Sequence, residues 1–235
     1  MNICTRLNIC TSNSPTSQSP KTLAARLLRQ NTMKAIWTII LLTLFFGCGQ
    51  TNKNSVITMD NSVELYNTFD NKNHLQPNFK KISFDTLHSW DFGWAILEPL
   101  NLGAGDEKEI VLSKRLSPGQ KTLYFFWYLD AEVTNGGFIQ FYWNNKRKYL
   151  PPIIDGLKLI GDTELLKLVE KADIQYLLDK EKFDFQRTKE DWEPLYDNLK
   201  EFEEFDELYY KIHDRTMDLI EQYARQHPDE FVKLK

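Results

Sequence analysis

Apolar positions along this chain recur at helical spacing, three and four residues apart, far more than at strand spacing. The clearest start signal is Ser117-Pro118-Gly119-Gln120. Ser117 can cap a helix, Pro118 suits its first position, and Gln120 can reach back to the cap amide and complete a capping box. Leu123, Phe126, Trp127, Asp130, Ala131 and Val133 carry that helix forward until Asn135-Gly136-Gly137 supplies a left-handed stop. A second helix is expected over 138–145, before Lys146-Arg147-Lys148 and the breakers Pro151-Pro152. Residues 153–160 read as a short apolar helix closed by Gly161, and Asp162 or Thr163 caps the next, whose Leu165, Leu166, Leu168 and Val169 span a broad apolar face. Over 188–199, Trp192, Leu195, Tyr196 and Leu199 keep the helical period. The last long helix is expected from about 206 to 226, with Leu208, Ile212, Leu219 and Tyr223 on one stripe and His227-Pro228 as its end. Upstream, 90–100 predicts a first helix. No stretch sustains strict alternation, so the expected class is all-α, a single multi-helix domain over 79–235.

The start of the chain has a different pattern. From Met33 one lysine is followed by an apolar run of about twelve residues that ends at Gly47-Cys48. The run is short for a membrane-spanning helix, which needs roughly twenty apolar residues. It fits a secretory signal, and Gly47-Cys48 resembles the lipobox of bacterial lipoproteins, whose cysteine takes a diacylglycerol and becomes the new N-terminus. Phe45 and Phe46 depart from that pattern, and an uncleaved signal anchor is the alternative. Residues 1–32 read as an over-extended start before Met33, 33–47 as a lipoprotein signal peptide, and 48–78, rich in Asn, Thr and Ser, as a flexible tether. The expected address is the cell envelope, with the chain lipid-anchored through Cys48 to a bacterial membrane.

Charge sharpens the picture. Residues 1–47 hold five basic residues and no acid, so a mature chain from Cys48 carries −9 against −4 for the whole. The excess sits in 162–235, with 21 acids against 12 bases. Within it Glu190, Asp191, Glu193, Asp197, Glu201, Glu203, Glu204, Asp206 and Glu207 stand against the single base Lys200. This is either a docking face for a basic protein, aided by electrostatic steering, or a solvated helical surface. Direct nucleic-acid binding is disfavoured, because it needs cations to neutralise phosphates. The three cysteines are Cys4, Cys10 and Cys48, so the domain has no thiolate zinc set or disulfide framework.

Catalytic signals are sparse. His74, His88, His213 and His227 fall in no metal-ligand spacing, and neither HExxH nor GxSxG occurs. Asp130 and Glu132, two apart on a helix, point different ways. Neither a cofactor nor an enzyme is expected.

The segment Asp130-Ala131-Glu132-Val133-Thr134-Asn135-Gly136-Gly137-Phe138-Ile139-Gln140-Phe141-Tyr142-Trp143-Asn144 resembles the C-terminal domain family of the DNA-mimic proteins (DMP), a domain of unknown function. The shared core is carried by Glu132, Asn135, Gly136, Gly137, Phe138, Gln140, Phe141 and Asn144. The resemblance, over about 90–235, implies an α-helical protein without known catalysis that presents carboxylates where DNA presents phosphates. The motif also makes sense structurally. The glycines reverse the chain, the four polar side chains satisfy helix ends and each other, and Phe138 and Phe141 anchor the corner. A partner- or ligand-binding role is the other reading. The leading expectation is a non-catalytic envelope lipoprotein whose acidic helical domain binds another protein of unknown identity. The alternatives are a cytoplasmic DNA-mimic-like inhibitor of a DNA-binding protein, a toxin-immunity lipoprotein, and a hydrolase acting through Glu132.

Overall fold

The computed structural model describes residues 66–100, 106–183 and 189–235, and within these the side chains of residues 106, 107, 189, 190 and 193 are not described. Cys48, the apolar run before it and the tether up to residue 65 lie outside the described residues.

The described residues form ten helices: α1 (Lys81–Thr86), α2 (Ser89–Leu97), α3 (Asp106–Ser113), α4 (Pro118–Trp143), α5 (Leu150–Leu159), α6 (Thr163–Leu178), α7 (Lys180–Phe183), α8 (Lys189–Asn198), α9 (Glu201–Gln226) and α10 (Pro228–Phe231). The all-α class expected from the periodicity is the class found. Its one sheet among the described residues pairs β1 (Asn78–Phe79) in parallel with β2 (Lys233–Leu234).

α4 is the central element. A helix apolar on all sides must be buried, and from Gly119 to Trp127 every residue of α4 is, Gln120 and Lys121 included. α5 and α9 pack on α4, and α6 and α2 pack on α9. The capping box at its start forms as expected: Ser117 Oγ accepts the Gln120 amide at 3.1 Å, and Gln120 Oε1 accepts the Ser117 amide at 3.0 Å. Asp162 caps α6 by accepting the Leu165 amide, and Gly161, at φ 71°, closes the connection from α5.

Several boundaries differ from the expected ones. Pro151 and Pro152 do not break the chain; they occupy the first turn of α5, where a missing amide costs nothing. α9 begins at Glu201 and not near Asp206, because Phe202 already turns into the core. α1, α3, α7 and α10 have no counterpart among the helices expected from the periodicity. The packed domain also reaches further upstream than Phe79. Tyr66 is buried against the Phe125 and Tyr149 rings. The strap that follows is tied down: Asp70 and Leu75 amides donate to the Lys114 and Arg115 carbonyls. Gln120 Nε2 donates both to the Leu75 carbonyl at 2.7 Å and to the Phe231 carbonyl at 2.8 Å. Residues 66–78, expected as the end of a flexible tether, are therefore part of the fold.

Candidate functional site

The motif at 132–144 straddles a break in α4. Gly136 stands at φ −150°, ψ 22° and Gly137 at φ 76°, ψ 179°, after which the helix resumes. A resumed helix exposes unpaired amides at its start, and a carboxylate is their best acceptor. Asp206 of α9 supplies it: its Oδ1 accepts the Phe138 amide at 2.8 Å. On the other side of the break, the Tyr196 hydroxyl of α8 donates to the Gly136 carbonyl at 2.5 Å. Helices α8 and α9 thus both contribute side chains to the interruption.

The remaining polar members of the motif meet on α4 itself. Gln140 Nε2 and Asn144 Nδ2 donate to the same Glu132 oxygen, at 2.8 and 2.7 Å. Asn135 Nδ2 donates to Gln140 Oε1 at 2.9 Å. Phe138 and Phe141 are fully buried, Phe138 edge-on to Tyr209. All eight residues named from the sequence come together at this corner. Gln140 and Asn144 bridge the break with amide-to-carboxylate bonds, an arrangement in which Glu132 is the acceptor.

The acidic run divides. Asp206 is 2% exposed and belongs to the corner, so it leaves the expected outward face: the Phe138 amide claims its carboxylate. Asp191 is half-buried, while Asp197, Glu201, Glu203, Glu204 and Glu207 are exposed. The side chains of Glu190 and Glu193 lie outside the described residues. Two further exposed acids, Asp214 and Asp218, extend the surface. Glu203, Glu207, Asp214 and Asp218 are spaced four, seven and four residues apart on α9. At 100° per residue they share one side of the helix, a stripe about 22 Å long, with Lys211 between them.

Beneath that stripe lies a titratable cluster that sequence reasoning missed. Asp130 of α4 accepts from the Tyr209 hydroxyl at 3.1 Å, and its Oδ1 lies 2.8 Å from His213 Nδ1. Burial pulls the His213 imidazole down, but the Asp130 hydrogen bond and charge, with Asp214 beyond, outweigh it and hold the ring above its ordinary value. Burial pushes the Asp130 carboxyl up, against the His213 and Tyr209 hydrogen bonds. Trp90 of α2 lies over His213, with ring centroids 5.8 Å apart, and its indole donates to Asp214 at 2.7 Å. Tyr210, beside them, donates to the Thr134 carbonyl at 2.8 Å. A helical-wheel reading of α9 would have found part of this, since Phe202, Asp206 and Tyr209 fall at core spacing.

Comparison with known proteins bears on this corner. The family model described as DMP19-like protein matches residues 114–227. The chain is also 27% identical over 122 residues to a protein of Neisseria meningitidis serogroup B named DNA mimic protein DMP19. That alignment covers 51% of this chain and 74% of the relative. The match opens just before the capping box and closes after α9, enclosing the glycine break, the buried aspartate and the acidic stripe. The segment from 114 to 227 is thus similar to the DMP19-like family.

Proposed function

We propose that this chain is a non-catalytic binding protein whose α9 carboxylates engage a basic surface on another protein. The observation that carries the reading is the outward stripe of Glu203, Glu207, Asp214 and Asp218 within the segment that matches the DMP19-like family. Aligned carboxylates on a rigid helix are one way to offer a DNA-binding surface the charge pattern it recognises, and the similarity to a protein named DNA mimic protein DMP19 supports that use. The charges also raise the encounter rate with a cationic partner, an effect that salt screens.

The apolar run ending at Gly47-Cys48 favours an envelope address, with lipid on Cys48 and a basic partner exposed at the membrane. The similarity to a DNA mimic favours a second reading, a cytoplasmic inhibitor of a DNA-binding protein. Two measurements separate them. Metabolic labelling with a fatty-acid analogue should mark the wild type and not Cys48→Ala under the envelope reading. An unlabelled, cytosolic chain selects the cytoplasmic one. In either compartment, capture of partners from extract should be abolished by joint Glu203→Lys, Glu207→Lys and Asp218→Lys. Partners retained equally by the charge-reversed chain would show that the stripe is not the binding face.

A further inference from the structure

Away from the corner and the stripe, one amine is buried without the opposite charge that usually accompanies it. Lys121, in the first turn of α4, is 5% exposed. Among the described residues its three N–H donors find one acceptor, the Thr68 carbonyl at 2.5 Å. No described carboxylate pairs with it, and burial alone pushes the amine down to about 8. Its place on the helix works in the same direction. Side chains lean towards the N-terminus of their helix, where the α4 dipole is positive and disfavours a second positive charge. Lysine is almost never buried unpaired, because the desolvated charge is costly.

The amine borders a cavity of about 70 Å³. Pro118, Pro152 and Leu159 give it apolar walls, and Asn67, Lys121 and Asp155 are among its polar members. The space suits about two waters or a molecule of a few heavy atoms. Asp155 and Leu159 are exposed, so the cavity is reached from solvent on the α5 side. Asn67 donates its amide to Asp155, but its Oδ1 is buried and has no hydrogen-bond partner. An amine short of acceptors and an oxygen short of a donor thus line the same small space.

A desolvated, neutral lysine is a nucleophile towards carbonyl carbon. The walls decide which carbonyl compound suits it. Asn67 Oδ1, the Thr68 carbonyl and the Asp155 carboxylate are all acceptors, so an anionic ligand or a carbamate product would be repelled. A short neutral aldehyde would not, and its alkyl part matches the prolines and Leu159. We propose that Lys121 and this cavity form a site that captures a short aliphatic aldehyde as an imine. Nζ attacks the carbonyl carbon, a C–N bond forms, and one nitrogen proton ends on the former carbonyl oxygen. The new hydroxyl is a donor for Asn67 Oδ1. It leaves as water with the second nitrogen proton as the C=N bond forms, and nothing is oxidised or reduced. The inference is independent of the acidic stripe.

The test treats the full-length chain with propionaldehyde and cyanoborohydride, which reduces an imine to a stable secondary amine. Peptide mass spectrometry then reads the modified fraction at each lysine. At pH 7 about a tenth of the Lys121 amine is neutral, against fewer than about one in a thousand of an ordinary lysine. Part of that gain is lost to narrow access and to the lower nucleophilicity of a less basic amine. Lys121 should therefore be alkylated about tenfold faster than the exposed Lys158 and Lys167. The advantage should shrink as pH rises above about 8, where Lys121 is already neutral. Leu159→Trp, which fills the mouth, should slow Lys121 and leave the other two unchanged, with the helical circular-dichroism spectrum as the check on folding. Alkylation of Lys121 no faster than of Lys158 and Lys167, or a rate that Leu159→Trp leaves unchanged, overturns the capture site and reduces Lys121 to a tie for the strap.

Discussion

Replacing Gly137 with alanine puts the corner to a quantitative test. Its backbone, at φ 76°, ψ 179°, occupies a region essentially reserved for glycine. A β-carbon there would stand 2.2 Å from Asp206 Oδ2 and 2.8 Å from its Cγ. Two costs add. Backbone strain is on the order of 1–3 kcal/mol. The new methyl can be seated only by moving Asp206 off the Phe138 amide, and the lost charge-assisted bond with its stranded partners adds about 1–3 kcal/mol. The sum expected for Gly137→Ala is about 2–6 kcal/mol, which in a domain of this size lowers Tm by roughly 10 °C. Thermal and urea unfolding followed by far-UV circular dichroism would read it. Gly161→Ala is the control, because φ is 71° there but nothing lies within 4 Å of the added carbon. It should lose only about 1–2 kcal/mol of left-handed strain. Equal melting of the two variants would mean that Asp206 does not seat against the break, and the reasoning would fail.

Further outcomes follow from the same geometry. Asp206→Ala should cost about 2–3 kcal/mol by leaving the buried Phe138 amide unpaired, whereas Glu203→Ala and Glu207→Ala should each change urea-unfolding stability by about 0.5 kcal/mol or less. Similar losses at all three positions would contradict the division of the acidic run into one buried and several outward carboxylates. Ser117→Ala removes the capping box and the Ser117 hydroxyl's bond to the Glu230 carbonyl, and should cost about 1–2 kcal/mol by the same assay. His213 has a folded-state pKa above its ordinary 6.5, so the folded state binds its proton more tightly than the unfolded chain. The stability this confers is fully present below pH 6.5 and fades as pH rises through the raised folded value. His213→Gln should flatten that decline across the neutral range in denaturant titrations, and an unchanged slope would refute the link.

Local chemistry was the most legible part of this chain. Ser117-Pro118-Gly119-Gln120 needs only its own atoms to form a cap, and the cap forms where the sequence places it. The break at Gly136-Gly137 could also be read, though not what completes it, since Asp206 lies 68 residues beyond the Phe138 amide that it caps. Composition obscured that residue. In a run of nine acids Asp206 looks like its neighbours, and only its spacing from Phe202 and Tyr209 reveals an inward direction. Composition misled again at the strap, where an Asn- and Thr-rich stretch conceals Tyr66, a ring able to dock. Pro151 and Pro152 read as breakers because proline signals both the end of one helix and the first turn of the next. The Asp130–His213–Trp90 cluster joins three helices, and no local pattern encodes such a meeting.

The seat of Asp206 has a directional consequence. A helix is a screw, so pinning one residue sets the compass bearing of every other residue along it. With this carboxylate docked on the Phe138 amide, Glu207, Asp214 and Asp218 have no freedom to choose the side on which they emerge. Inserting one residue between Leu199 and Asp206 would force a choice. Either the anchor holds and the added residue bulges out of the first turn, or the downstream charges swing by about 100° and the stripe faces somewhere else.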